Sequence, residues 1–321
     1  MNKDKNTKKK YSLPLLDEYL ENIQSNNYST ETVYNYERDL NTFENFLNFD
    51  IKTPFNKITK RSIIKFKAYL SSTSRSTANQ EKGQGKLSSY SINRILSALR
   101  SYLKFLVDID QKIPVTADAI KFLKTEKKYG QVPEMKELIS LIESPSKFEK
   151  DPTIKLRNRA MLEVLFATGM RISELLSLKR EQLDQSGRIY VMGKGKKQRF
   201  VYLTPRARKH IKLYIASRHD NTPYLFIPYR GLNNQDKNKK ISTNYLQAKI
   251  KSYRELLSIN VPISAHSIRH SFATYLAENG ANPAAIQILL GHESLDTTTR
   301  YVHASDRYAE KIHTKFHPLK Q

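Results

Sequence analysis

The sequence predicts a mainly α-helical protein of two domains, the second of which also carries a small β-hairpin. Three observations support this fold class. The length of 321 residues suits two domains better than one. Apolar residues recur at spacings of three and four through most of the chain, which is typical of amphipathic helices. The helical pattern breaks between residues 187 and 203, where two β-rich runs flank a glycine-containing turn.

Four segments are predicted along the chain. Residues 1–10 form a disordered basic tail, because apolar side chains are few there and five lysines repel one another. Residues 11–123 form the first domain and residues 133–321 the second. The stretch 124–132 between them is charged, contains Gly130 and precedes Pro133, which is typical of an interdomain linker.

Four helices are predicted in the first domain, which would make it a small helical bundle. The first follows Leu13, and Ser29 and Thr59 are suited to cap the second and third. A fourth begins near Ser88. Residues 71–86 contain several Ser, Thr and Gly, which favours an exposed loop.

The second domain is predicted to be mixed but mostly helical. A strongly apolar helix at residues 159–167 should end at Gly169. Residues 188–192 and 198–203 should pair as a hairpin around Gly193 and Lys194. The remaining predicted helices span residues 134–142, 205–217, 243–258, about 265–280 and 284–290.

The charge balance points to a polyanionic partner. The formal net charge is +24, from 55 Lys and Arg against 31 Asp and Glu. Nucleic acid and an anionic membrane surface are the two candidate partners. The charge could also belong to a basic protein that has no such partner and is merely soluble.

No apolar run approaches the roughly 18 residues needed to span a bilayer, and the N-terminus lacks a signal peptide's apolar core. We therefore expect a soluble cytoplasmic protein. Cysteine is absent, which excludes disulfides, thiolate zinc sites and a cysteine nucleophile.

Two pairs of residues could carry chemistry on helices. Arg171 follows the helix that ends at Gly169, and Glu174 lies three residues on, where it could orient the guanidinium. His266 and Arg269 also lie three apart and would share a helical face. Taken alone, a His–Arg pair is usually an ordinary surface pair. Arg171 could equally be a simple helix-end arginine that forms an exposed pair of little energetic value with Glu174.

Three other candidates stand at turns or in loops. Lys194 lies at the predicted hairpin tip, where a solvated lysine is the ordinary expectation. His292 follows Gly291 at a helix end, where an imidazolium would meet the negative end of the helix dipole. Tyr301 is one of 19 tyrosines, most of which must serve in packing.

The order of these residues changes their interpretation. The candidates occur in the same order as the Arg–Lys–His-x-x-Arg–His–Tyr signature of the tyrosine recombinases and integrases. In this sequence the signature corresponds to Arg171, Lys194 of the hairpin, His266 to Arg269, His292 and Tyr301. The sequence closely resembles that family from about residue 134 to 318, and more weakly in the first half. A chance match of the whole ordered set is far less probable than a match of any one element.

This resemblance implies a helical SAM-like core-binding domain followed by a catalytic domain that cleaves and rejoins DNA strands through a 3′-phosphotyrosine. It also implies that neither a metal nor another cofactor is needed. Lys194 would be the general acid, although Lys196 and Lys197 on the same turn could also reach a leaving oxygen. The implied catalytic set is Arg171, Lys194, His266, Arg269, His292 and the nucleophile Tyr301, with Glu174 in support. His270, on the same helical face as His266, is either a further supporting residue or a buried histidine whose hydrogen bonds are satisfied.

These roles are also chemically reasonable. Cleaving a phosphodiester requires a nucleophile, an acid for the leaving group and donors that neutralise charge on the pentavalent phosphorus. A tyrosine supplies the nucleophilic oxygen once its proton is removed, and two arginines offer planar forks that match the non-bridging oxygens. Histidines can hydrogen-bond the phosphate or accept a proton near neutral pH.

The expected partner is a double-stranded DNA recombination site. By resemblance, the enzyme would act as a homo-tetramer in synapsis or with a paralogous recombinase, with a DNA translocase as a further possible activator. The sequence starts almost at the core-binding domain and ends on His317-Pro318, which looks like the Xer-type branch that resolves chromosome dimers. The long loop at 71–86 departs from that branch. A mobile-element integrase is the alternative, and a type IB topoisomerase or a non-catalytic DNA-binding protein are more distant ones.

Overall fold

A computed structural model describes residues 10–72, 86–125, 132–184, 186–193, 198–229 and 240–291. The chain divides into two compact units, Met1–Lys128 and Tyr129–Gln321. Both units are mainly helical, and the second holds a two-stranded antiparallel sheet, so the predicted fold class is confirmed. Within the described ranges, no helix is both long enough and apolar enough to cross a membrane.

The described part of the first unit contains four α-helices: α1 Leu16–Ser25, α2 Thr30–Asn45, α3 Lys60–Ser71 and α4 Ser89–Asp108. The hydroxyls of Ser29, Thr59 and Ser88 accept hydrogen bonds from the first turns of α2, α3 and α4. Each hydroxyl satisfies a backbone N–H that the helix itself leaves without a partner. The predicted starts of these three helices are therefore confirmed.

The apolar faces of these helices share one core. Phe43 on α2, Phe66 on α3 and Leu99 on α4 are all fully buried. The rings of Phe43 and Phe66 lie 4.8 Å apart in an edge-to-face arrangement, which is favourable for aromatic pairs. Ile64 belongs to the same apolar run as Phe66 but lies on the outer face of α3, where it is exposed.

The second unit begins with two helices that are both longer than predicted, α5 Met135–Phe148 and α6 Pro152–Thr168. Helix α5 passes residue 142 and includes Pro145. Helix α6 begins well before residue 159, because Asp151 caps it and Pro152 occupies its first turn.

Buried polar residues explain why the start of α6 was missed. Arg157 and Asn158 are buried in the first part of this helix and interrupt its apolar pattern there, and Arg159 and Glu163 are buried further along. Their polar groups are satisfied inside the fold, as buried polar groups must be. Arg157 donates to the carbonyl of Ile227 at 2.8 Å, and Arg159 donates to Glu163 at 3.0 Å.

The predicted hairpin is present as β1 Arg188–Met192 and β2 Gln198–Tyr202, which pair antiparallel with Val191 opposite Arg199. Side chains alternate between the two faces along each strand. The inner face contributes Ile189, Val191 and Val201 to the core, together with the arginine at position 199. The outer face exposes Tyr190, Met192, Phe200 and Tyr202.

The other α-helices described in the second unit are α7 Ile172–Leu176, α8 Pro205–Ala216, α9 Thr243–Leu256, α10 Ala265–Glu278 and α11 Pro283–Leu290. Helices α8 to α11 begin where the sequence predicts them, whereas the short α7 was not predicted. Asn282 caps α11, and Gly291 ends it in the left-handed conformation. Ile286 and Leu290 of α11 pack with Ala273 of α10 in a small separate core, which fixes the end of α11 beside α10.

Gly169, at the end of α6, should tolerate no side chain. Its φ of +59° is strained for other residues, and a Cβ there would lie 2.3 Å from Cδ1 of Phe272. Left-handed strain costs roughly 1–2 kcal/mol and overpacking roughly 1–3 kcal/mol, so Gly169→Ala should lower the free energy of unfolding by about 2–5 kcal/mol. Urea unfolding would measure this loss. Circular dichroism is the suitable signal, because the chain has no tryptophan whose fluorescence could report unfolding.

Gly280→Ala provides the matched control for this prediction. Gly280 has a φ of +85°, but nothing lies within 4 Å of the added Cβ. This variant should therefore lose only the roughly 1–2 kcal/mol of backbone strain. Equal losses in the two variants would show that the Phe272 ring moves aside without cost.

Candidate active site

Arg171 and Glu174 lie where the chain passes from α6 to α7. Gly169 ends α6, and two residues later Arg171 precedes the first turn of α7. The Glu174 carboxylate accepts a hydrogen bond from the Arg171 backbone N–H at 2.8 Å and from its Nη1 at 3.0 Å. The Arg171 side chain remains 34% exposed. Its guanidinium is therefore oriented from one side and open to a ligand from the other.

Glu174 also pairs with Arg199 of β2. Nη1 and Nη2 of Arg199 donate to the two carboxylate oxygens at 2.9 and 2.7 Å, and both side chains are buried. Burial acts to raise the pKa of Glu174, but the hydrogen bonds from Arg199 and Arg171 outweigh it and lower the pKa below its ordinary value. Glu174 is therefore an anion that holds two arginines at once.

Arg269 joins the ends of two helices. It lies on α10 and is 4% exposed. Its Nη1 donates to the carbonyl of Gly169 at 2.7 Å, and its Nη2 donates to the carbonyl of Leu290 at 2.6 Å. The end of α6, which leads to Arg171, and the end of α11 are thus held together by one guanidinium.

The C-terminal end of α11 is the point where the three arginines meet. Arg199 Nε donates to the Leu289 carbonyl at 2.9 Å, and Arg171 Nη2 donates to the Gly291 carbonyl at 3.2 Å. With the bond from Arg269 to the Leu290 carbonyl, three successive carbonyls each receive an arginine. Helix carbonyls at this end have no partner within the helix and carry partial negative charge. Three arginine side chains therefore bind the end of α11, and residue 292 is the next residue in the sequence.

The two histidines of α10 differ in environment. His266 is exposed in the first turn of α10, and Ser264 caps that turn. It lies one helical turn before Arg269 and so shares its face of the helix. His270 is half-buried, and burial, reinforced by nearby His266, lowers its pKa below the ordinary value. His270 is therefore uncharged at neutral pH.

Three of the predicted site residues, Lys194, His292 and Tyr301, lie outside the described residues. The structure describes the chain up to Gly193 before the first and up to Gly291 before the second. Arg171, Glu174 and Arg269 are brought together as one connected group. Among the residues that the structure describes, no cluster of three His, Asp or Glu side chains could hold a metal ion.

Arg199 was not among the residues predicted from the sequence, although the sequence contains a signal for it. It occupies an inward position of β2, where the alternation of the strand calls for an apolar side chain. An arginine at such a position must find partners inside the fold. Counting the alternation through to Tyr202 would have identified it as a buried cation.

The arrangement has the chemistry of an anion-binding site. Planar guanidinium groups donate paired hydrogen bonds to phosphate or carboxylate oxygens, and they do so best when the surrounding structure fixes their orientation. Arg171 and Arg269 are held by the same helix end, and Glu174 fixes the first of them from behind.

Two family models match this chain. The phage integrase family matches residues 132–307, and the N-terminal SAM-like domain of phage integrases matches residues 16–109. Both matches follow the order predicted from the sequence, in which a helical domain precedes a larger domain that contains the candidate site.

Full-length relatives agree with these models. The chain is 32% identical to tyrosine recombinase XerD of Staphylococcus epidermidis, over 95% of this chain and 98% of the relative. It is 34% identical to tyrosine recombinase XerC of Natranaerobius thermophilus, over 91% and 94% of the two chains. A crystal structure of the XerH site-specific recombinase, bound to palindromic difH substrate after cleavage, has the same fold, with a TM-score of 0.69. In that comparison the identity is 21%, over 93% of this chain and 83% of the other. The chain therefore belongs to the phage integrase family, as one of its Xer-like tyrosine recombinases.

Proposed function

We propose that this protein is a site-specific DNA recombinase that cleaves one strand with Tyr301 and rejoins it to a different end. The observation that carries the proposal is the group of arginines on the end of α11. Arg171 and Arg269 are fixed there by main-chain carbonyls, and the chain then continues into His292 and Tyr301. This arrangement supports phosphate binding at the end of α11, directly before His292 in the sequence.

In the proposed reaction, the phenolic oxygen of Tyr301 attacks the phosphorus, and its proton passes to His266 or His292. The bond to the 5′-oxygen breaks, and Lys194 protonates that leaving oxygen. The enzyme then holds a 3′-phosphotyrosine, which the 5′-hydroxyl of another strand attacks in the reverse of the first step. One phosphoester bond is broken for each one formed, so the proposed reaction requires no cofactor.

The roles of the other residues follow from their contacts. Arg171 and Arg269 would donate to the two non-bridging oxygens and neutralise the charge that develops on them. Glu174 would keep Arg171 in position, since its buried carboxylate binds both the backbone and the guanidinium of that residue. His270 would support the site as a neutral side chain one turn from His266.

The function can be tested by trapping the covalent intermediate. The substrate is a duplex that carries the host's candidate dimer-resolution site and a nick next to the cleavage position. Cleavage releases the short fragment between the nick and the cut, and the loss of this fragment prevents rejoining. The wild-type protein should form an adduct that survives denaturation, and a scrambled duplex of equal length should give little. Relaxation of supercoiled plasmid without site preference would instead support a topoisomerase. Binding without any adduct would support a non-catalytic DNA-binding protein.

Lys194→Ala should slow cleavage by about 10²–10⁴-fold, the usual contribution of a general acid, while Lys196→Ala should leave it nearly unchanged. A substrate with sulfur in place of the 5′-bridging oxygen should restore most of the rate to Lys194→Ala, because a thiol with a pKa near 8.5 leaves without protonation. Single-turnover cleavage of both substrates would measure this. Loss of rate in Lys196→Ala alone would move the general acid to that residue.

The partners and the biological role belong to the same proposal. We propose a double-stranded recombination site as substrate and a homo-tetramer, or an assembly with a paralogous recombinase, as the synaptic form. We further propose that it resolves chromosome or plasmid dimers in the cytoplasm, with a DNA translocase as activator, and the identity to the Xer recombinases over nearly the whole chain supports an Xer-type role. An integrase of a mobile element is the second candidate, and it would cleave the ends of its own element in preference to a dimer-resolution site.

A further inference from the structure

We propose that Arg199 is a positioning residue for strand cleavage, which fixes Arg171 and the segment that leads to His292 in a single geometry. The proposal rests on the recombinase function proposed above and extends it to a residue that does not itself touch DNA. Arg199 lies on β2, and its side chain is 6% exposed.

The guanidinium of Arg199 is engaged on three sides. Its Nη1 and Nη2 donate to the two oxygens of Glu174, and its Nε donates to the Leu289 carbonyl at 2.9 Å. Gly291 lies directly against it, since a Cβ built on this glycine would come within 2.9 Å of Cδ and 3.1 Å of Nη1. The glycine thus permits a close approach between the helix end and the arginine.

Two separate parts of the proposed active site therefore depend on this one side chain. Through Glu174, Arg199 sets the orientation of Arg171, because the same carboxylate binds both guanidinium groups. Through Leu289 and Gly291, it sets the end of α11, after which the chain continues into His292. A displacement of about 1 Å in such groups can reduce a reaction rate on the order of 10²-fold.

Lysine could not replace this arginine. A guanidinium presents donors in a rigid planar fork, which allows two parallel bonds to Glu174 and a third to Leu289 in one orientation. An ammonium group keeps the charge but is a single point on a flexible stem. Arg199→Lys therefore removes the geometry while it preserves the ion pair, which makes it the informative substitution.

A buried arginine elsewhere in the same unit provides a matched control. Arg218 binds both oxygens of Asp220 at 2.9 and 2.6 Å and donates to the Tyr224 and Leu225 carbonyls at 2.8 and 2.7 Å. Its side chain is fully buried. Arg218→Lys thus removes the same kind of contact without touching α7 or α11.

The experiment compares wild type, Arg199→Lys, Glu174→Gln and Arg218→Lys in single-turnover cleavage of the nicked duplex at saturating protein. DNA affinity and the urea midpoint are measured in parallel. Arg199→Lys and Glu174→Gln should each cleave about 10²-fold more slowly, with dissociation constants within about threefold of wild type. The double variant should be little slower than either single variant, because both changes break one connection. Arg218→Lys should lose stability but keep its cleavage rate.

The outcomes separate this inference from the function on which it rests. If wild type forms no adduct, the recombinase proposal fails. If wild type forms the adduct and Arg199→Lys cleaves at the wild-type rate, only the role of Arg199 is overturned. Rate losses that follow the urea midpoint in all variants, including Arg218→Lys, would assign Arg199 a purely structural role. Failure of both Arg199→Lys and Glu174→Gln to fold would likewise overturn the positioning role in favour of a structural one.

Discussion

Replacement of Tyr301 by phenylalanine should abolish the covalent adduct on nicked DNA while leaving DNA affinity within about threefold of wild type. The change removes only the phenolic oxygen, which in the proposed mechanism forms the bond to phosphorus. Removal of a nucleophile in an enzyme of known mechanism lowers the rate by about 10⁶-fold, so no adduct should be visible at the longest practical times. Denaturing electrophoresis of end-labelled substrate provides the measurement, and a mobility shift assay provides the affinity.

The control for this variant is a second tyrosine nearby. Tyr308→Phe removes the same atom seven residues further along and should retain the adduct. Digestion of the wild-type adduct, followed by mass spectrometry, should place the nucleotide on the peptide that contains Tyr301. An adduct that survives in Tyr301→Phe, or a nucleotide found on Tyr308, would contradict the assignment.

Arg269→Lys should impair both cleavage and stability, because Arg269 is expected to serve both the chemistry and the fold. Loss of one charge-stabilising donor typically lowers a rate by about 10²–10³-fold, and lysine cannot reproduce the fork that reaches both the helix ends and a phosphate. The Gly169 and Leu290 carbonyls would also lose their present partner. Buried groups left without hydrogen bonds cost about 1–3 kcal/mol each, so the free energy of unfolding should fall measurably.

Arg157→Lys is the control that separates the loss of catalysis in Arg269→Lys from its loss of stability. Arg157 is equally buried and also donates to a main-chain carbonyl, that of Ile227. Its guanidinium also donates to Asn158 and Tyr245, which lie outside the proposed site. Its substitution should lower the urea midpoint and leave single-turnover cleavage unchanged well below that midpoint. Wild-type cleavage by Arg269→Lys under the same conditions would remove Arg269 from the proposed mechanism.

The parts of the fold that follow from local interactions could be predicted from the sequence. Ser29 and Thr59 cap helices through hydrogen bonds within a single turn, and Gly169 and Gly291 end helices because they adopt a left-handed conformation. The start of α6 could not be predicted, because Arg157 has its partners in distant parts of the chain, such as Ile227. Burial of that kind depends on the tertiary structure and leaves no periodic signal.

The sequence predicted which residues belong to the candidate site, but not the hydrogen bonds that connect them. The order of the motifs singled out Arg171, Glu174 and Arg269, and the structure connects these residues through hydrogen bonds. That three arginines would share the end of α11 could not be inferred, since it depends on how β2 and α10 pack against that helix. The places of Lys194, His292 and Tyr301 remain predictions from the sequence.

The position of the arginines at the end of α11 has a consequence for how a phosphate would be received. Three guanidinium groups near one point repel one another, and without compensation they would separate when no anion is bound. Here the Glu174 carboxylate and the carbonyls of residues 289–291 supply the opposing negative charge from within the chain. The donors are therefore assembled before any DNA arrives. An incoming phosphate would meet a preorganised site, and none of its binding energy would be needed to bring the cations together.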